Sequence, residues 1–376
     1  MSVFSEFLKK SIEEIKEGGL YRQKIVFPSD IIDFASNDYL GLKDNQYTKE
    51  KLCRNIDGLT LGSGASALIS GYFSIQRELE KFLADFKQTE DCLIVGSGYM
   101  ANLGLIQAIA KEEDVIFSDE LNHASIIDGI RLSKAKKIIY KHCDVEDLEK
   151  KITTVDTKGK KIVITDSVFS MDGDIAPLDK IVQICNRYDA VLMIDEAHST
   201  GILGKEGRGT LTYFGIKPTE NIIQMGTLSK AVGSYGAFIC GSKLLIDYLV
   251  NKMRSVIFTT ALSPIQNFIS LENLKILKKE DFRRKKLFEN VEFFVKKAKE
   301  KSLNVNFHGT PIITYIVGDE NKVIDLRNKL LEKGLLVGAV RPPTVPPGTS
   351  RLRITLSSKH SFEDIETLLS FLERES

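Results

Sequence analysis

Several kinds of residue and segment are scarce in this sequence, and each scarcity excludes something. Its 376 residues include only five cysteines, Cys53, Cys92, Cys143, Cys185 and Cys240, spread far apart and without a CxxC pair. That spacing speaks against a disulfide framework and fits free thiols in a reducing cytoplasm. Neither sign of charge is in excess: 52 Lys and Arg stand against 51 Asp and Glu. Net charge therefore points to neither nucleic acid nor a membrane surface as partner. No apolar run reaches the roughly 18–20 residues that a membrane span needs. The opening "MSVFSEFLKKSIEEIKEGG" has no apolar h-region and carries acids early, unlike a secretory signal. Phe4, Phe7, Leu8, Ile12 and Ile15 recur there at helical spacing. They predict an amphipathic helix packed on the body and stopped at Gly18-Gly19, with partner binding as the other use of such a face. Internal repeats and low-complexity segments are lacking too.

What is present is a regular alternation. The runs 91–98, 114–120, 136–142, 160–167, 190–198, 221–227 and 236–241 read as buried strands, with helical patterns at 100–111, 123–133, 144–152 and 178–189 between them. Near-continuous apolar strands alternating with helices predict an α/β fold with a mostly parallel sheet covered on both faces. After about residue 265 the pattern changes to Lys- and Glu-rich helices over 266–301, strands at 311–318, 335–340 and 350–357, and helices near 321–334 and 361–374. The expected division is an N-terminal segment (1–45), a large domain (46–265) and a smaller α+β domain (266–376).

Ligands of such sheets sit beyond the carboxyl ends of the strands, and those ends carry chemistry here. "VLMIDEAHSTG" ends in Asp195 and His198; "KIVITDSVFSMDGD" ends in Asp166, with Ser167 and Ser170 beyond; "NIIQMGTLSK" ends in Thr227, Ser229 and Lys230. The turn "VGSGYMAN" (95–102) opens a helix whose backbone N–H groups suit a phosphate. Taken singly, each has a plain reading: a helix cap for Asp195, a structural loop histidine, a surface lysine. Together on one rim they suit pyridoxal phosphate. Lys230 can form a Schiff base with its aldehyde, Asp195 can pair with its ring nitrogen, the glycine turn can take its phosphate, and His123 can cover the ring. The small residues Gly226, Ser229, Gly233, Ser234 and Gly236 around Lys230 are expected to leave room for cofactor and substrate.

A rival reading rests on the same turn. "GSGYMA" satisfies G-x-G-x-x-[G/A], and Asp119 ends the next strand where a dinucleotide ribose would need an acid, as in an NAD(P)-dependent dehydrogenase. That reading leaves Lys230, Asp195 and His198 without a role. A catalytically silent binding protein on this fold is a third possibility, and it has no missing member of that set to explain.

The motifs "SNDYLGL" (36–42), "LNHAS" (121–125), "VFSMDGD" (168–174), "DEAHSTGILGKEGRG" (195–209) and "GTLSKAVGSYGA" (226–237) resemble those of the α-oxoamine synthases, pyridoxal-phosphate enzymes of the aspartate-aminotransferase-like fold (fold type I). The resemblance runs from about residue 20 to the end. "RPPTVPPGTSRLRITL" (341–356) is most similar to the member that serves biotin synthesis, which implies L-alanine and a pimeloyl thioester, on coenzyme A or acyl carrier protein, as substrates. Sister enzymes use glycine or serine. The resemblance implies that Lys230 holds the cofactor, Asp195 pairs with its ring nitrogen, His123 stacks on the ring and His198 bonds the ring hydroxyl. It implies that Ser170, Thr227 and the Gly98–Tyr99 backbone bind the cofactor or its phosphate, that Asn37 and Arg353 face the substrate, and that Arg22 and Thr344 lie on the substrate side. A homodimer with its site between subunits is implied as well. The sequence departs from the family at Ala65, Ala67 and Asp166, where many relatives carry other residues.

Overall fold

The computed structural model describes residues 2–18 and 20–375. In it the apolar runs form a seven-stranded sheet: β1 (Asp91–Val95), β2 (Val115–Asp119), β3 (Lys136–Tyr140), β4 (Lys161–Asp166), β5 (Ala190–Asp195), β6 (Ile222–Thr227) and β7 (Ala237–Gly241). The order across the sheet is β1-β7-β6-β5-β4-β2-β3. β7 runs antiparallel to both β1 and β6, and the other pairings are parallel. Side chains alternate between faces along a strand, and the core divides accordingly. Ile164 and Met193 join Leu105, Ile106 and Leu249 in one cluster, while Val163, Leu192 and Ile194 join Phe117, Leu148 and Ile181 in another. Two covered faces are why these strands read as unbroken apolar runs. Helices Gly98–Ile109, Ala124–Leu132, Val145–Thr153 and Leu178–Arg187 lie close to their expected spans. Because β2, β4, β5 and β6 point the same way, Asp119, Asp166, Asp195 and Thr227 end on one rim, with Asp166 and Asp195 paired in register.

Contacts between Cα atoms divide the chain into two compact units: residues 1–36, 171–173 and 288–376, and residues 37–170 and 174–287. These divisions differ from those expected at 45/46 and 265/266. Helix Pro264–Lys279 goes with the larger unit because Asn273 on it donates to the carbonyls of Leu42 (3.3 Å) and Val232 (2.8 Å). In the smaller unit a four-stranded antiparallel sheet has the order β10-β11-β9-β8, where β8 is Val305–Phe307, β9 Ile312–Gly318, β10 Gly338–Val340 and β11 Ser350–Thr355. The short segment 171–173 belongs to it for a local reason. Asp172 pairs with Arg351, Thr310 donates to the Gly173 carbonyl at 2.7 Å, and Gly173 has φ +79°, where a Cβ would lie 2.6 Å from the Ile312 carbonyl.

The N-terminal helix, Val3–Glu17, forms as predicted, capped by Ser2 accepting from the Ser5 N–H at 3.2 Å. Its expected packing on the body does not occur. No residue of the helix is buried, and Phe4 and Phe7 are 68% and 62% exposed. Periodicity sets which residues share a face, but it cannot supply a surface to cover that face. The expected stop at Gly18-Gly19 begins at the C-cap Gly18, and Gly19 lies outside the described residues. Among the described residues no helix is long and apolar enough to cross a membrane.

Beneath the rim of the larger unit lies a fully buried ion pair, Lys87–Glu196. Lys87 also donates to the Arg208 carbonyl at 2.6 Å, and Glu196 accepts from the Thr210 N–H at 2.6 Å. Removing one partner of such a pair leaves an uncompensated buried charge. Lys87→Met is therefore expected to lower unfolding free energy in urea by about 3 kcal/mol, with part regained in the Lys87→Met/Glu196→Gln double variant. A loss below about 1 kcal/mol, the size typical of an exposed pair, would show that Glu196 is balanced by other groups.

Candidate active site

The rim of the larger unit holds a cavity of about 210 Å3 lined by Gly98, Tyr99, His123, Asp195, His198, Thr227 and Lys230, among others. Seven of the residues expected at the site are thus brought together from four segments of the chain. Lys230 Nζ lies 2.8 Å from His198 Nε2. His198 Nδ1 is 2.7 Å from the Tyr39 hydroxyl, which donates to Asn37 Oδ1 at 3.2 Å. With Tyr39 donating to Asn37, the tautomer that satisfies this chain carries its hydrogen on Nδ1 and turns the Nε2 lone pair toward Lys230. Asn37 thereby connects to the lysine through Tyr39 and His198.

Asp195 is 4% exposed. Its Oδ2 accepts from Asn102 at 2.7 Å and its Oδ1 from the Ala197 N–H at 2.9 Å. Asn102 uses its second amide hydrogen on Ser125 Oγ (2.9 Å), which lies 2.8 Å from His123 Nδ1. One asparagine thus ties together the carboxylate and the histidine. Burial lowers the His123 pKa below its ordinary value; Asp195 opposes this and Lys230 adds to it. The ring is therefore neutral near pH 7, a flat face without charge. Asp166 receives the His123 N–H at 2.7 Å, and burial together with the neighbouring Asp195 charge raises its pKa well above the carboxylate range. The departure at Asp166 thus positions the His123 backbone.

On the opposite wall, Thr227 and Ser229 hydroxyls lie 2.7 Å apart and Thr227 donates to the Gly236 carbonyl at 3.0 Å. The helix from Gly98 starts at Ser97, whose Oγ accepts from the Met100 N–H. Its leading N–H groups have no intrahelical acceptor by geometry, and they face a cavity that also holds two hydroxyls.

The glycines around Lys230 serve a purpose other than the expected one. A Cβ on Gly226 would lie 2.4 Å from the Phe238 ring, and one on Gly233 (φ +68°) 2.3 Å from the Lys43 amide nitrogen. They allow protein to pack on protein, which holds the lysine's loop in place. Ser170 belongs to the same unit but does not line the cavity. Ala65 packs through its backbone, its carbonyl accepting from the Ala261 N–H at 3.0 Å, and Ala67 opens the helical turn Ala67–Gly71. Arg22, Thr344 and Arg353 belong to the smaller unit. Arg353 is buried on β11 and donates to Thr355 Oγ1 at 2.7 Å.

The class I and II aminotransferase family matches residues 29–372. The chain belongs to that family. Among its relatives, the 8-amino-7-oxononanoate synthase of Lysinibacillus sphaericus is 43% identical over 377 aligned residues, covering 97% of each chain. The solved 8-amino-7-oxononanoate synthase of Francisella tularensis is 33% identical with a TM-score of 0.80, covering 93% of this chain and 98% of its own. A serine palmitoyltransferase from S. paucimobilis, solved with a bound PLP–myriocin aldimine, is 27% identical with a TM-score of 0.91, covering 100% of this chain and 98% of its own. The fold is therefore that of the type I pyridoxal-phosphate enzymes, as the motifs implied.

The dinucleotide reading fails at Asp119, which is 2% exposed and already engaged. Its Oδ1 accepts from the Leu121 N–H (2.9 Å) and lies 2.9 Å from His142 Nδ1; its Oδ2 accepts from the Cys143 N–H at 2.8 Å. Burial pulls the His142 pKa down, but Asp119 and Asp174 on its two ring nitrogens prevail and push it up to about 12. Asp119 serves that imidazolium, not a ribose.

Sequence reasoning did not single out Asn102, Tyr39 or Ser125. Asn102 carried a usable signal. It is a polar residue on a helix face otherwise made of Ala101, Leu105 and Ile106, and a buried amide must have partners.

Proposed function

We propose that this protein is a pyridoxal-phosphate-dependent C-acyltransferase that condenses L-alanine with a pimeloyl thioester, releasing carbon dioxide and the thiol carrier, to give 8-amino-7-oxononanoate for biotin synthesis. The observation that carries the reading is a lysine amine 2.8 Å from His198 Nε2 in the cavity that also holds the buried Asp195 carboxylate. The names of the relatives supply the product, and the resemblance of the 341–356 motif supplies the substrates.

The donor set fits the cofactor: an amine, a buried carboxylate, a neutral flat imidazole, and N–H groups beside two hydroxyls. When bound, pyridoxal phosphate supplies an aldehyde for an amine and a ring that takes up the electron pair left at the substrate Cα. Lys230 would hold the cofactor through its amine and, once that amine is free, would take the substrate Cα proton at Nζ. Asp195 holds a proton on the ring nitrogen. His123 stacks on the ring, and Tyr39 and Asn37 hold His198 where it meets the ring hydroxyl. Gly98, Tyr99 and Thr227, which line the cavity, would bind the cofactor or its phosphate. Arg353 takes the amino-acid carboxylate as a two-toothed pair, with Asn37, Arg22 and Thr344 also on the substrate side. The carrier is coenzyme A or acyl carrier protein, and the working species is a homodimer with its site at the subunit interface, in the cytoplasm.

The visible absorption of the purified protein tests this. A yellow band that responds saturably to L-alanine in preference to glycine or L-serine is expected. A best response to glycine or serine would move the function to a sister synthase such as a 2-amino-3-ketobutyrate ligase. A protein that stays colourless after pyridoxal phosphate is added would overturn the reading.

A further inference from the structure

Two further residues that line the cavity at the rim, Asn102 and Ser125, have no part in the scheme above. Each is 1% exposed. The direction of hydrogen bonding can be followed through them atom by atom. Both Asp195 carboxylate oxygens accept, Oδ2 from the Asn102 amide at 2.7 Å and Oδ1 from the Ala197 N–H. Turned over, that amide would set its oxygen against a carboxylate oxygen, so its NH2 group must face Asp195. The second amide N–H then points at Ser125 Oγ, 2.9 Å away, and makes that oxygen an acceptor. The Ser125 hydroxyl hydrogen is left for His123 Nδ1 at 2.8 Å.

The same nitrogen is met by a second donor. His123 caps helix Ala124–Leu132, and its Nδ1 accepts from the Ser125 backbone N–H at 3.2 Å. A backbone N–H can only donate, so Nδ1 presents its lone pair and the hydrogen of the neutral ring sits on Nε2. The direction read from Asp195 and the direction read from the helix cap therefore agree. One atom bears the cost: Asn102 Oδ1 is buried and has no hydrogen-bond partner among the described residues. Buried amide oxygens are ordinarily paired; here pairing is given up at the oxygen while both N–H groups keep their acceptors.

We infer that Asn102 and Ser125 are positioning residues that carry the hydrogen-bond direction set by Asp195 to His123 and hold its imidazole as the neutral tautomer with the hydrogen on Nε2. This deepens the reaction proposed above and rests on it. There Asp195 holds a proton on the cofactor's ring nitrogen, and a protonated His123 would stack a second cation on that same ring. The groups that face His123 pull both ways. Burial holds its pKa down, Asp195 pulls it up and Lys230 pushes it down; Asp166, His198 and Tyr99 share the cavity with it. Two donors on Nδ1 tip this balance toward the neutral ring, and the positive end of the helix that His123 caps acts in the same direction.

Nitrogen NMR of holoenzyme labelled in its five histidines tests this, with His123 assigned by its loss in His123→Asn. In wild type, His123 is expected to show a bare Nδ1 and a protonated Nε2 at pH 7. Ser125→Ala should move its titration midpoint upward and admit the tautomer with hydrogen on Nδ1, and Ser125→Thr, which keeps the hydroxyl, should restore the wild-type pattern. The acid limb of kcat for L-alanine and pimeloyl-CoA should shift to higher pH in Ser125→Ala, while the plateau above it stays within about fivefold of wild type, the worth of one neutral hydrogen bond. Hydrogen on Nδ1 in wild type would overturn the proposal, and if Ser125→Ala does not fold the wild-type spectrum decides alone. A midpoint unmoved in folded Ser125→Ala, or a rate loss equal at every pH that Ser125→Thr does not restore, would also overturn it. A wild-type protein with the expected tautomer and midpoint shift that does not turn over L-alanine with pimeloyl-CoA would uphold the chain of bonds and remove the proposed reaction.

Discussion

Replacing Lys230 by alanine is expected to reduce turnover of L-alanine and pimeloyl-CoA by at least roughly 10⁴-fold while leaving the fold intact. A positioned general base alone contributes about 10²–10⁴-fold, and the same side chain is also the amine that exchanges with the substrate, so its loss removes two functions. The loop itself does not depend on the side chain. The Lys230 carbonyl accepts from the Gly233 N–H and the Leu228 carbonyl from the Ser234 N–H, each at 2.8 Å, and Ala231 and Val232 are buried beside them. His198 loses one partner but keeps Tyr39. Thermal unfolding should therefore move by only a few degrees, which separates lost chemistry from lost structure. Thiol release measured at saturating substrates gives the rate. A primary amine added to the variant should restore part of it, because the missing group is an amine at a known place. Near-normal turnover in Lys230→Ala would leave the whole scheme without its base.

How much of this could be read without coordinates depended on the distance over which each feature is determined. The seven strands were legible because each is covered on both faces, and burial writes itself into consecutive residues such as Ile162, Val163 and Ile164. The rim was legible because parallel strands must end together, so Asp195 and Thr227 could be placed side by side before any contact was known. Contacts that only the folded chain creates were not legible. Asn102 meets Asp195 across 93 positions, and Tyr39 meets His198 across 159. The glycines near Lys230 were recognised as demanding space, but the occupant was misread, since Phe238 and Lys43 fill it. The N-terminal helix shows the converse. Its period was clear from Phe4 to Ile15, yet whether that face is covered is a property of what lies opposite, and here the residues are exposed.

Asp195→Asn is expected to keep the cofactor, with weakened affinity, and to lose about 10²–10³-fold in kcat, the usual cost of removing one preorganised electrostatic group. The amide has the size of the carboxylate, so packing changes little, but its single oxygen can accept from only one of the two donors, Asn102 or the Ala197 N–H. The larger change is in charge. An amide has no anion with which to hold a proton on the ring nitrogen, and the electron pair at the substrate Cα then loses its acceptor. The long-wavelength absorption of a Cα-deprotonated substrate adduct should fail to develop with L-alanine. Stability is expected to move the other way. Asp166 is pushed up first by burial and then by the Asp195 charge, and removing that charge relieves the repulsion between two buried carboxyl groups at paired strand ends. A variant at least as stable as wild type but far slower would locate the loss in the chemistry. Asp195→Glu, which retains the anion at a displaced position, should recover part of the rate. Strong long-wavelength absorption in Asp195→Asn would remove Asp195 from this role and leave Asp166 as the nearest candidate, a carboxyl whose raised pKa would itself need a cofactor cation to bring it down.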